Sequence, residues 1–272
     1  MKIYDCFLYW DEDLLLDLRL NILDNHIDYF VIVEGNKTWQ NNSKKFRFDI
    51  NKFKKFKNKI IYIKVEDMPG GENPWERENF QRNCIERGLV ESKDDDLIII
   101  SDLDEIPNPK KLSEFTKKQK FAVFRQNHYY YKLNLRAQIN PFWDGSRICI
   151  KKYLKSPQWL RDLKFKKRPF WRLDKLKQNN IIYDGGWHFC NLKSPKDLVY
   201  KYKNLCETND KFVFNQKISQ ELLDEKIIDN KISSGSDILN RNEKFRFTKL
   251  DNSFPEYLLK NKKKYLNWIA KF

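Results

Sequence analysis

The densest chemistry in the amino-acid sequence lies at the end of an apolar run, where Leu97-Ile98-Ile99-Ile100-Ser101 leads straight into Asp102-Leu103-Asp104-Glu105. In an extended backbone residues i and i+2 point to the same side, so Asp102 and Asp104 can face one cation or one ligand. Hard carboxylate oxygens suit Mg2+ or Mn2+, ions that complete their shells with water and substrate phosphates. Three acids within four residues repel one another unless a cation or basic groups offset them. A plainer use is also open, in which Asp104 or Glu105 caps a helix beginning after Pro107. The crowding of charge favours the metal.

Other segments supply cationic and aromatic groups. Trp75 to Asn83 reads as a helix carrying Arg77, Glu78 and Arg82, and its two arginines, five residues apart, can converge on a common face. Guanidinium forks bind phosphate bidentately, which would make them the cationic half of a diphosphate clamp. Glu78 can equally pair with Arg82 at i,i+4. Glu34 closes an earlier strand before Gly35 and can accept hydrogen bonds from a ribose or base, or cap the next turn. Later, Asp184-Gly185-Gly186-Trp187-His188-Phe189 places two of the chain's eight glycines side by side. Paired glycines permit unusual backbone angles or close approach to a ligand. His188 beside them can ligate a metal or donate to a phosphate. Trp143, Trp187 and Tyr129 to Tyr131 offer stacking faces for sugar rings or, as readily, core packing.

These residues need a scaffold, and the apolar pattern supplies one. Ile3 to Leu8, Tyr29 to Val33, Ile60 to Val65 and Asp96 to Ser101 read as strands, the last three as buried runs of the kind found in a parallel sheet covered on both faces. A helix capped by Asp11 or Asp13 runs to Leu23, and another spans about Trp75 to Leu89, closing near Gly88. The order predicts an α/β domain with a mostly parallel sheet in three layers. Beyond Pro107 and Pro109 the pattern gives a helix to about Lys118, a strand over Phe121 to Arg125, and an aromatic, less periodic region through Trp171. Helices near Pro195 to Leu205, Gln216 to Leu223 and Pro255 to Ile269 complete it. With no linker or repeat, residues 1–272 read as one domain, with a nucleotide-binding half over 1–120 and an acceptor-side half over 121–272.

Composition narrows the classes. Gly and Pro are scarce at 8 and 9 residues and hydrophobic residues make up 40%, which excludes collagenous, low-complexity and disordered chains. The net charge of +15 favours anionic partners, although many lysines lie in ordinary solvated stretches such as Lys52 to Lys64. No apolar run reaches the length of about twenty residues that spans a membrane, and the first residues lack a secretory h-region, so a cytoplasmic location is expected. Five scattered cysteines without a C-x-x-C pair signal neither a disulfide framework nor a structural zinc site.

Five segments, KIYDCFLYWDEDLLLDLRL, DYFVIVEGNKTW, WERENFQRNCIERGL, DLIIISDLDEIPNP and GGWHF, resemble glycosyltransferase family 17 in order and approximate spacing over most of residues 2–190. The resemblance implies a GT-A-type three-layer α/β/α sandwich with a C-terminal helical and irregular acceptor region. It also implies a divalent cation (Mn2+ or Mg2+), a UDP-sugar donor such as UDP-N-acetylglucosamine, and inverting transfer to a glycan or lipid-linked saccharide. On it, Asp102, Asp104 and His188 hold the metal, and Asp102, Glu34, Arg77, Glu78 and Arg82 bind the donor. Glu105 orients its neighbours. An inverting displacement also needs a base for the acceptor's hydroxyl proton. Asp184 and Asp144, each beside a glycine, are the candidates.

Two rival readings exist. A haloacid-dehalogenase-type phosphatase also places D-x-D after a hydrophobic strand, but wants Thr or Val two residues after the second Asp, where this chain has Ile106. A non-enzymatic nucleic-acid or membrane-surface binder would use Lys151 to Lys177, with eleven basic residues, and the tail Lys260 to Lys264. No recognised nucleic-acid module accompanies these, so nucleic acid is not expected as a partner. The tail instead suggests peripheral contact with an anionic membrane, through Leu258, Leu259, Leu266, Trp268, Ile269 and Phe272 among its lysines.

Overall fold

The acidic turn sits where the longest buried strands end. In the computed structural model, which describes residues 1–116, 118–165, 180–206, 224–239 and 241–271, the chain begins β1 (Ile3–Leu8), α1 (Asp13–Leu23), β2 (Tyr29–Gly35), β3 (Ile60–Val65), α2 (Pro74–Asn83) and β4 (Leu97–Asp102). It continues β5 (Glu105–Pro107), β6 (Phe121–Tyr130), β7 (Leu135–Ala137), β8 (Phe142–Ile150) and α3 (Pro157–Asp162). After these come β9 (Ile181–Ile182), β10 (Gly186–Cys190), α4 (Pro195–Tyr202), α5 (Glu225–Ser233), β11 (Phe245–Phe247) and α6 (Glu256–Lys260).

The strands form one sheet in the order β3-β2-β1-β4-β8-β6-β7-β11, with β9 and β10 pairing to β6 and β5 pairing to β10. The first four strands are mutually parallel, as their buried apolar runs predict. Beyond β4 the sheet becomes mixed: β8 pairs antiparallel with both β4 and β6, while β9 and β10 run parallel to β6. The region read as weakly periodic therefore contains a nine-residue strand, β8. From Gly145 to Ile150 it is buried continuously, so it shows no inside-outside alternation.

Both faces of the parallel strands are covered. Phe7, Ile32 and Ile99 pack with Leu16, Leu18 and Leu20 of α1 and with Leu258 and Tyr265 from the C-terminal segment. Cys6, Val31 and Ile98 pack on the other side with Ile85, Leu89 and Leu160. Each such side chain contributes about 1.5–3 kcal/mol.

Three helices are shorter than their patterns suggest. The one expected to reach Leu89 is α2 followed by a 3-10 segment at Cys84–Gly88, with Asn73 as N-cap and Pro74 in the first turn. Gly88 serves sheet packing, since a Cβ there would lie 2.5 Å from Val31 Cγ1. After Pro107 there is a 3-10 segment at Pro109–Glu114, and the C-terminal helix divides into α6 and a 3-10 segment at Lys262–Trp268. The helix expected over Gln216 to Leu223 lies outside the described residues. The tail's apolar side chains face inward: Leu258 is fully buried, while Leu259, Trp268 and Ile269 pack on the core and Leu266 is exposed. The apolar face on which the membrane-contact expectation rested is largely taken up by the protein's own core; Phe272 lies outside the described residues. Among the described residues, no helix is long and apolar enough to cross a membrane.

The glycine pair at 185–186 has a steric cause. Strand β10 lies between β5 and β6, and a Cβ on Gly186 would sit 2.1 Å from the Ile106 carbonyl oxygen, while one on Gly185 would sit 2.8 Å from the Arg125 amide nitrogen. Gly186 also has φ of +137°. The close approach is therefore to backbone, and it carries His188 toward the acidic turn. Gly186→Ala is expected to destabilise the fold by about 3 kcal/mol, measured by urea denaturation. A variant as stable as the parent would mean that β5 and β10 do not approach in this way.

Candidate active site

The backbone of the acidic turn is held from below by Arg19. This fully buried side chain makes two hydrogen bonds to Asp5 of β1, from Nε at 2.7 Å and Nη2 at 2.6 Å. Its remaining Nη1 donates to the carbonyls of Asp102, Leu103 and Glu105 at 3.1, 3.2 and 2.7 Å. One cation thus donates to three turn carbonyls, and that of Glu105 also accepts from Ser146 Oγ at 2.9 Å. The side chains can then project away from the core.

Asp102 lies between two arginines, with Oδ1 3.0 Å from Arg82 Nη2 and Oδ2 2.7 Å from Arg161 Nη2. Burial alone would raise its carboxyl pKa, but Arg161 and Arg82 outweigh that and hold it well below the usual carboxylate range. Glu105, almost fully buried, accepts from Arg161 at 2.6 and 2.7 Å and from Trp143 Nε1 at 2.6 Å. Arg82 also pairs with Glu78 at 2.6 Å, the i,i+4 contact foreseen as the plainer alternative. Asp102 nevertheless keeps 40% of its side chain exposed.

Asp104 pairs with His188, Oδ1 to Nε2 at 3.4 Å. Burial opposes charge on both groups, yet their mutual attraction prevails, lowering the carboxyl and raising the imidazole well above its ordinary value. The amide of Phe189 donates to the Asp104 carbonyl at 2.9 Å, so β10 is tied to the turn by backbone as well. His128 stacks on His188 with ring centroids 4.7 Å apart and planes within 6°. Burial, reinforced by the charge on His188, lowers His128 to about 3.

A cleft of about 260 Å3 opens over this turn. Asp102, Asp104, Glu105, Glu78, Trp143 and His188 all line it. Five sequence-derived candidates do not: Arg82, which stands behind Asp102, and Arg77, Glu34, Asp144 and Asp184. Arg77 turns away to the carbonyls of Trp39, Gly70 and Gly71 at 2.6, 3.2 and 2.7 Å, so the two arginines of α2 do not converge. Arg77 thereby braces the segment that presents Trp39 to the cleft. Glu34 is fully buried and accepts from Tyr62 Oη at 2.8 Å, from the Arg47 and Phe48 amides at 2.8 and 3.0 Å, and from Lys44. Asp144 forms a two-point pair with Arg125 at 2.7 and 2.9 Å. Asp184, at φ of +50°, borders a different depression beside Asn108 and Lys110. Of the aromatics proposed for stacking, Trp187 and Tyr129 are core residues, Tyr131 bonds to the amide of Ile238, and Tyr130 faces the cleft.

Several residues of the site escaped the sequence. Arg161 sits within the basic run read as a solvated or nucleic-acid surface, yet it is the main counter-charge of Asp102 and Glu105. Lys193, Lys201 and Arg241 bring positive charge to the cleft, and Glu12, Trp10 and Trp39 complete its walls. The useful clue lay in Lys193 and Lys201, which bracket the start of α4 shortly after GGWHF. The part of the run from 166 onward lies outside the described residues.

A layered α/β scaffold with paired carboxylates at a strand end, in a cleft with charged and aromatic walls, is suited to a polar small-molecule substrate. The sequence model of glycosyltransferase family 17 matches residues 1–266, essentially the whole chain. The chain belongs to that family and is a glycosyltransferase; donor and acceptor saccharides are its substrates, and the phosphatase and non-enzymatic readings fall away. No curated protein matches the chain.

Arg161→Met leaves Asp102 and Glu105 short of a counter-charge and is expected to cost about 3 kcal/mol at neutral pH. The lowered carboxyl of Asp102 contributes stability that is complete above its unfolded value of about 3.9 and is lost as pH falls through the lower folded value. The deficit of the variant should therefore narrow below about pH 4. Urea midpoints from about pH 7 to about pH 3 measure this. A deficit that does not change with pH would locate the role of Arg161 elsewhere.

Proposed function

We propose that this glycosyltransferase is metal-dependent and inverting, moving a sugar, N-acetylglucosamine from its UDP donor, to a glycan or lipid-linked saccharide on a GT-A-type scaffold. The observation that carries this is the convergence of Asp102, Asp104 and His188 on one cleft whose walls hold Lys193, Lys201 and Arg241. Asp104, paired with His188 at 3.4 Å, and Asp102, which keeps an exposed edge with spare lone pairs despite its arginines, would be the oxygen donors to Mn2+ or Mg2+. Bound there, the cation would supply Lewis-acid stabilisation to a diphosphate. The protein's own basic groups at the cleft would stabilise the charge that grows on the leaving nucleoside diphosphate as the acceptor hydroxyl attacks the anomeric carbon. Arg82 and Arg161 act behind the acids, fixing their positions.

For the base, Asp144 and Asp184 are poorly placed, as neither lines the cleft. Asp102 and Glu105 are held by Arg161, and Glu78 by Arg82. We assign the role to Glu12, which lines the cleft, accepts from the Asp11 amide at 3.1 Å and lies 3.4 Å from Lys193. Trp10, Trp39 and Trp143 provide faces for the sugar and base.

Thermal shift with UDP-, GDP- and CMP-sugars, with and without Mn2+, should single out a UDP-sugar stabilised only with metal. Asp104→Ala should lose that shift together with transfer and donor hydrolysis while keeping its fold. Full activity in Asp104→Ala would sink the metal assignment. Glu12→Gln should retain the donor shift but lower kcat about 100-fold or more; an unchanged kcat would remove Glu12 from the role.

A further inference from the structure

We infer that His128, His188 and Cys190 form an imidazole–thiolate site for a soft divalent transition metal of the zinc class, set in the cleft wall beside the acidic turn. The donors come from two paired parallel strands. His188 of β10 lies in register with His128 of β6, and Cys190, two residues on, returns to the same side as His188. One donor atom from each residue falls within 4.8 Å of the others. The two imidazoles are 3% and 7% exposed.

The hydrogen bonding of the two rings marks them as a ligand pair. Each has one nitrogen engaged and one without a partner among the described residues. His128 Nδ1 contacts the Asn140 carbonyl at 3.2 Å, which leaves Nε2 unpartnered. His188 Nε2 meets Asp104 at 3.4 Å, which leaves Nδ1 unpartnered. For the neutral His128 ring this leaves an oriented lone pair at Nε2, the usual outer-shell arrangement of metal-bound histidine, whereas His188, which Asp104 holds charged, must release its Nδ1 proton to ligate. A buried polar nitrogen left unsatisfied is costly. The rings lie parallel within 6°, so one of them would turn out of the stack for a single ion to lie in both ring planes and satisfy both nitrogens.

Donor type separates this site from the carboxylates next to it. Two imidazoles and a thiolate select zinc-class ions, whereas Mg2+ and Mn2+ prefer the oxygens of Asp102 and Asp104. Binding would displace two protons to solvent, one from the Cys190 thiol and one from the charged His188 imidazole, and form one metal–sulfur and two metal–nitrogen bonds. Three protein donors leave a fourth position of the tetrahedron open. His188 and Cys190 both line the cleft, so water or a ligand there can fill it. His188 stands between the two kinds of site, with Nδ1 toward the thiol and Nε2 toward Asp104.

Cobalt(II) titration of the purified, chelator-treated full chain tests the site without reference to donor or acceptor, so its outcome is separable from that of the transferase assignment. The expected result is saturation at one equivalent, with a thiolate-to-cobalt charge-transfer band and intense tetrahedral d–d absorption, both bleached by zinc. Cys190→Ser should lose the charge-transfer band, and His128→Gln should weaken cobalt binding more than about tenfold. Asp104→Asn, which keeps all three donors, should retain the band with affinity lowered by about 10–100-fold. Absence of the band in the parent, or its survival in Cys190→Ser, overturns the site. Should Cys190→Ser not fold, alkylation of the unmutated protein decides: zinc should protect Cys190, read by peptide mass spectrometry, and failure to protect it overturns the site equally.

Discussion

The active turn depends on one buried ion pair. Arg19 and Asp5 are both fully buried, which incurs a desolvation penalty that their mutual attraction offsets only if the geometry and remaining hydrogen bonds are good. Here the remaining nitrogen of Arg19 donates to the turn carbonyls of Asp102, Leu103 and Glu105, so each of its three nitrogens is engaged. Asp5 is aligned with Ile99 in the β1–β4 register, and its side chain fixes Arg19 under the end of β4. The sheet register and the shape of the acidic turn are consequently one constraint. Removing either partner would strand a charge in the core and release the backbone that positions Asp102 and Asp104.

Above that support the acids are already largely compensated. Arg82 and Arg161 offset Glu78, Asp102 and Glu105, and His188 offsets Asp104. The chain therefore does not rely on a bound ion to assemble the turn, and the crowding of three acids is resolved internally by arginine. This divides the basic residues into two sets. Arg82 and Arg161 stand behind the acids of the turn, while Lys193, Lys201 and Arg241 line the cleft from the later part of the chain, Lys193 pairing there with Asp11 and Glu12 and Arg241 with Asp237. Much of the +15 net charge lies in neither set and belongs to exposed lysines.

What the sequence revealed follows from how local each signal is. The strands at Ile3, Tyr29 and Leu97 were legible because a strand buried on both faces is a plain apolar run, and the half-buried edge strand at Ile60 because it is rich in isoleucine. Strand β8 was not, because its buried half mixes Gly145, Ser146, Arg147 and Cys149, whose burial depends on partners elsewhere in the sheet. The acidic turn was legible for its charge density. Arg161 was not, since it lies 56 residues from Glu105 and no local pattern distinguishes it from neighbouring lysines. Asp144 and Asp184 were singled out for standing beside glycine, but β-pairing sets Asp144 opposite Arg125, and the glycine at 186 answers to the Ile106 carbonyl.

Strand β10 connects these levels. Gly185 and Gly186 let its backbone pass between β5 and β6 where any side chain would collide, and the register that results sets His188 opposite Glu105 on one side and His128 on the other. The hydrogen bond from Phe189 to the Asp104 carbonyl then locks that placement. A glycine pair with no functional group of its own therefore decides which chemistry the cleft can hold. It does so by bringing an imidazole within reach of hard oxygen donors at one nitrogen and of a thiol and a second imidazole at the other. Any shift of β10 would move both sets of donors together, so the strand must be rigid, and its close contacts on both sides make it so.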